Sequence, residues 1–167
     1  MKSISRSAAI WILIGVVTGS CVTAKVQTNT NQLPAISETA NMIVIRGKVN
    51  YQEAITLDKE VTIYPEAFIT TSGNGRIIFN KRVNVLGSSQ VFDGQAQIQF
   101  GEGCIGTLNV GWFGARGYDR EDDTKAFQKV LGIASGLSNS VNVFVPIGKY
   151  MIAEQLLLEN TTPLNKS

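Results

Sequence analysis

No histidine occurs in the 167 residues. That excludes Ser-His-Asp triads and histidine-ligated zinc or iron sites and leaves the chemistry of carboxylates, lysines, arginines and thiols. Asp58 and Glu60 stand two apart on a strand-like segment and would share a face. Paired glycosidase carboxylates must flank a substrate at about 5–9 Å, which spacing alone does not supply, so a solvated surface is the expectation. Asp119, Glu121, Asp122 and Asp123 are close-set oxygen ligands of the kind calcium takes. No glycine-centred loop or distal acid accompanies them, and Asp122 and Asp123 open a helical pattern, where carboxylates cap free backbone N–H groups and suit the positive dipole end. Capping is therefore the preferred reading. Cys104 has no base to activate it and is expected as a small apolar residue in a packed core. Gly73-Asn74-Gly75 is a turn rather than a phosphate loop, because no Lys-Ser/Thr pair follows it on a helix. Trp112 and Tyr118 offer aromatic faces to a sugar, but such a tryptophan more often fills the junction of a helix and a core. No acid–base pair has supporting context, so no catalytic residue and no cofactor is assigned, and no turnover is expected of this chain by itself.

The elements that would position these groups are mainly β. Short apolar runs recur at Met42 to Val49, Val61 to Tyr64, Ala67 to Thr70, Ile77 to Phe79, Val83 to Leu86, Gln90 to Phe92 and Ile98 to Phe100. Breakers separate them: Pro65, Ser72 to Gly75, Gly87-Ser88-Ser89, Asp93-Gly94 and Gly101 to Gly103. Alternation within runs, as in Ile43/Ile45 and Ile98/Phe100, turns one face inward. The spacing suits a solenoid of short strands; a small β-sandwich or jelly roll is the alternative. The one helix is Asp122 to Ser135, with Ala126, Phe127, Val130, Leu131 and Ala134 on its apolar face and Gly136 to end it. Val141 to Val145 and Tyr150 to Ile152 read as two strands about a Pro146/Gly148 turn, and Leu156 and Leu158 as a further inward pair.

The N-terminus has the layout of a secretory signal. Lys2 and Arg6 precede the apolar run Ala8 to Val17, and small residues Gly19 and Ser20 lead to Cys21. The run is short of the roughly 20 residues a membrane span needs. Thr18-Gly19-Ser20-Cys21 resembles a lipoprotein box, in which Cys21 would be lipidated and tether the protein to a membrane; cleavage after Val22-Thr23-Ala24 is the competing reading. Residues 1–24 are thus assigned to a signal, 25–40 to a polar linker, 41–111 to an N-terminal β-stack and 112–167 to a cap helix and first rung. Of 15 basic and 13 acidic residues, the signal takes Lys2 and Arg6, which leaves a neutral balance. No basic block remains to serve a nucleic acid. Loss of Cys21 to lipidation or cleavage leaves Cys104 without a disulfide partner.

Trp112-Phe113-Gly114-Ala115-Arg116-Gly117, then Asp122-Asp123-Thr124-Lys125-Ala126-Phe127-Gln128, then Pro146-Ile147-Gly148-Lys149-Tyr150 resemble the opening segment of the pectate-lyase superfamily. The likeness is specific between Trp112 and Tyr150 and looser from about Leu57 to Leu158. The family usually reads Gly-Asp-Gly after the Ala115-Arg116 pair; here Gly117 is followed by Tyr118-Asp119-Arg120, the second glycine is lost, and the turn before the helix takes a different backbone shape. The resemblance implies a right-handed parallel β-helix (solenoid), mainly β, with one capping α-helix over its first rung and a short β-stack before it. It implies an exported, polysaccharide-active protein of the lyase, rhamnogalacturonase or epimerase-like kind, with uronate-containing glycans as partners. Calcium enters by that analogy alone. Trp112, Phe113, Gly114, Ala115, Gly117, Asp122, Asp123, Thr124, Phe127, Gln128, Pro146, Gly148 and Tyr150 form the family signature, with structural roles. The catalytic rungs would lie outside this chain, which reads as a truncated start with an open solenoid edge prone to self-association. The alternatives are a non-catalytic surface glycan-binding or adhesin module and an inactive remnant.

Overall fold

The computed structural model describes residues 10–13, 23–26 and 36–158. Cys21 and most of the segment read as an export signal lie outside the described residues. Of that N-terminal region, β1 (Ile10–Leu13) pairs antiparallel with β2 (Thr23–Val26). No helix among the described residues is long and apolar enough to cross a membrane.

The other described residues are mainly β with one α-helix, and their sheets are built by parallel pairing. The first contains β3 (Ile36–Glu38), β4 (Met42–Ile45), β7 (Glu60–Ile63) and β10 (Val83–Val85) in the order β10-β7-β4-β3. The second joins β5 (Lys48–Tyr51) to β8 (Phe68–Thr71), and Phe92 adds a parallel bridge to Ile69. The third orders β6 (Ala54–Leu57), β9 (Arg76–Phe79) and β11 (Ile98–Phe100) as β11-β9-β6. Registers advance in similar steps: Ile43 lies opposite Val61 and Val61 opposite Val83; Val49 opposite Ile69; Ile55 opposite Ile77 and Ile77 opposite Ile98. Each strand thus meets its counterpart some twenty residues later. Only β3 runs antiparallel in this part, covering the outer edge of β4.

Alternation explains the strands. In β5 and β6 every second residue is buried, and the buried set Val49, Tyr51, Ile55 and Leu57 faces a common core. Aromatic residues continue it from level to level, with Phe79 stacked on Phe100 at 5.2 Å between ring centroids and Phe92 on Phe113 at 5.0 Å. Polar ladders line the outside. Asn80 Nδ2 donates to Asp58 Oδ1 (2.7 Å), and Asn50 Nδ2 to Ser72 Oγ (3.0 Å). The levels approach so closely at Gly75 that a Cβ there would stand 2.0 Å from the Tyr51 carbonyl oxygen.

Several elements differ from expectation. The run Met42 to Val49 breaks at Arg46-Gly47 into β4 and β5, because the chain turns a corner there. Gln90 to Phe92 forms no strand, only the bridge at Phe92. Strands β3, β6 and β12 (Thr107–Asn109) were not anticipated. After β13 (Asn142–Phe144), the expected second strand reduces to one bridge between Asp122 and Met151. Leu156 is half-buried and Leu158 is 72% exposed, so they do not form an inward pair.

The helix α1 runs Thr124–Ser135, with Ala126 and Val130 buried and Phe127, Ile133 and Ala134 packed on the core. Parallel stacking begins at Met42, and α1 follows it in the chain, packed against β12, β13 and the 3-10 turn Val110–Phe113. Strand β13 pairs in parallel with β12, Thr107 opposite Asn142, a step of 35 residues that accommodates the inserted turn and helix.

Candidate functional site

The residues singled out between Trp112 and Tyr150 gather at one junction, where nearly all their polar atoms are used to hold backbone. Asn109 Oδ1 accepts from the Gly111 N–H (2.8 Å) and starts the 3-10 turn. Trp112 is buried and its Nε1 donates to the Gly87 carbonyl (2.8 Å), tying the turn to the level below. Phe113 and Ala115 are buried, and Gly114 ends the turn at φ +104°, a conformation suited to glycine. Beyond it, Gly117 and Gly148 meet backbone to backbone, since a Cβ on either would come within 2.7 Å of the other's Cα. The Tyr150 ring lies over Gly117 and edge-on to Phe127 (5.2 Å), and its hydroxyl donates to the Pro146 carbonyl (2.9 Å). Burial, then the nearby Asp123 and Tyr118, push the Tyr150 phenol above its ordinary pKa.

Asp122, Asp123, Thr124 and Gln128 form a clasp between α1 and the segment after β13. Asp123, expected to cap the helix through its side chain, makes no such bond. Its buried carboxylate accepts instead from the Arg116 N–H (2.7 Å) and the Met151 N–H (3.2 Å), because two other segments bring unpaired donors to it. Asp122 does accept from the Thr124 N–H (2.9 Å) and from the Thr124 hydroxyl. Those two bonds, with weaker help from Ala153 and Lys125, hold its carboxyl below the usual range. Thr124 Oγ1 in turn accepts from the Ala153 N–H (2.9 Å). The Gln128 amide meets Leu157 twice, donating to its carbonyl and accepting from its N–H, both at 2.8 Å.

The other candidates do not converge. Asp58 lies in the turn before β7 and is held by Asn80, whereas Glu60 begins β7, so they do not share a strand. Asp119 Oδ1 accepts from the Glu121 N–H (3.2 Å), and no group of three acidic or sulfur side chains among the described residues could hold a metal. Cys104 is buried with its thiol free. Tyr118 is 84% exposed.

Concavity is found elsewhere, in a groove of about 680 Å³ between α1 and β11. Strand β11 is the edge of its sheet, and α1 rests on other elements, which leaves a channel between them. Ile98, Phe100, Ile133 and Leu137 line it with apolar surface, Gln95, Gln99, Lys125, Gln128 and Lys129 with polar groups, and Gly94, Gly132 and Gly136 with open backbone. No carboxylate among the described residues lines it. Burial holds the Lys129 ammonium below the ordinary lysine pKa, and neither lysine pairs with an acid among the described residues. Sequence reasoning missed this groove. Its trace was the stripe Lys125, Lys129, Gly132, Gly136, spaced i, i+4, i+7, i+11 on one helix face. No protein-family model, curated protein or solved structure matches the chain.

Proposed function

We propose that the chain is the beginning of an exported, polysaccharide-active right-handed parallel β-helix protein of the pectate-lyase kind, acting on uronate-containing glycans. The observation that carries the reading is the recurrence of parallel pairing every twenty or so residues through three sheets, as rungs of a solenoid require. The clasp of Asp122, Asp123, Thr124 and Gln128 supports it, because the residues of the resemblance prove to be those that seat the helix. The reading assigns no catalytic role to the junction, because Asp119, Asp122 and Asp123 are committed to backbone donors. The apolar run after Lys2 and Arg6 supports export, with lipid on Cys21 as the anchor.

Affinity electrophoresis tests the reading. The chain should be retarded in a gel containing polygalacturonate, migrate freely in one containing a neutral glucan, and leave the polymer uncut. Equal migration in both gels would remove uronate glycans from the reading, and depolymerisation would contradict the placement of catalysis outside the chain.

A further inference from the structure

The geometry points to the groove between α1 and β11 as a binding site for a carboxylate-bearing saccharide segment, gripped by Lys125 and Lys129. This rests on the reading of the chain as glycan-associated and adds a place on the molecule that the junction residues do not supply.

Three observations converge. At about 680 Å³ the groove falls within the roughly 300–1,000 Å³ typical of ligand sites. It joins an apolar floor, Ile98 and Phe100, to the amides of Gln95 and Gln99, which make no side-chain bond to the groove's other residues. Apolar faces with a few polar groups suit a sugar ring, whose C–H faces are apolar and whose hydroxyls both donate and accept, as amides do. Finally, its lining charge is positive. Lys125 and Lys129 lie one helical turn apart, about 6 Å along the axis, with no carboxylate among the described residues that line the groove; Asp122, outside it, shares its field with Lys125 alone of the two. Lys129 carries an electrostatic cost there, seen as its lowered pKa. An arriving carboxylate would relieve it, as a nearby opposite charge favours the charged form. A neutral saccharide would not.

The test is calorimetric titration of the full chain with a tetra-uronate, its methyl ester and inorganic sulfate. Two variants accompany it. Lys129→Gln removes charge, and Gly132→Leu fills the channel, where a Cβ meets nothing within 4 Å; replacing a helical glycine also favours the fold. The tetra-uronate is expected to bind the wild type, to lose at least about tenfold in affinity in each variant, corresponding to about 1.4 kcal/mol, and to raise the Lys129 pKa followed by NMR. The methyl ester should bind far more weakly. Equal affinity of wild type and both variants would overturn the groove as the site while leaving uronate recognition standing. Equal binding of acid and ester would overturn charge as its basis. Sulfate raising the Lys129 pKa while the tetra-uronate does not would overturn the saccharide assignment. Absence of any uronate binding would take the proposed function down with it.

Discussion

Asp122 and Asp123 are neighbours of one type, yet the fold uses them differently. Asp123 is buried and joins three segments, accepting from Arg116 and Met151 while its own N–H donates to the Met151 carbonyl. Asp122 is exposed and holds the helix start through Thr124, with a weaker bond from Ala153. Its carboxyl pKa is lower in the folded protein than in the unfolded chain. The stabilisation is therefore fully present above the unfolded value and is lost as pH falls through the folded one. Amide exchange followed by NMR on lowering the pH should show the Thr124 and Ala153 protons losing protection as Asp122 protonates, and Asp122→Asn should flatten that response. An unchanged pH profile in Asp122→Asn would assign the loss to another carboxylate.

At the scale of elements, stacked aromatic pairs tie successive levels of the sheets together. Phe79 is fully buried between its own sheet neighbours and the Phe100 ring. Phe79→Ala should cost about 3–5 kcal/mol, a large share of the 5–15 kcal/mol typical of a domain, and urea unfolding followed by circular dichroism would read it as a lowered midpoint. A loss under about 1 kcal/mol would mean that the column relaxes into the space. Much of this layer was legible in the sequence. The runs Val83 to Leu86 and Ile98 to Phe100 announce strands β10 and β11 through alternation and flanking glycines, and the continuous apolar run Ile77 to Phe79 soon after Gly75 announces β9. Strand β6 was missed although Ile55 and Leu57 alternate inward, since four residues are too few to stand out alone, and β12 (Thr107-Leu108-Asn109) holds one apolar residue; each is fixed by the neighbour that it pairs with. For the same reason the clasp was half legible. The residue types marked it, but Asp123 received its partners only when Arg116 and Met151 were folded beside it. The groove left almost no trace, since it is the space that two elements fail to fill.

At the scale of the molecule, the two ends differ. The β4 edge is covered by β3, whereas around β13 large apolar residues stay in water: Phe144, Val145, Met151 and Leu158 are exposed and Ile147 is 90% exposed. Such a surface favours association with a second copy. Sedimentation velocity of the full chain should show concentration-dependent association that Ile147→Lys with Leu158→Lys diminishes. If the double variant associates as the wild type does, the contact lies elsewhere.

The long step from β12 to β13 also shapes the order of folding. Most strand pairs close loops of some twenty residues, so each level can form as soon as its neighbour exists. The last pair must close 35 residues, which costs only about 0.5 kcal/mol more in chain entropy. Its disadvantage is thus one of timing rather than energy. The pairing needs the Gly117–Gly148 contact and the clasp assembled together, so the helix is expected to dock last on the stacked strands and to leave them first; native-state amide exchange should show α1 opening before β7 and β9, and equal protection would contradict that order.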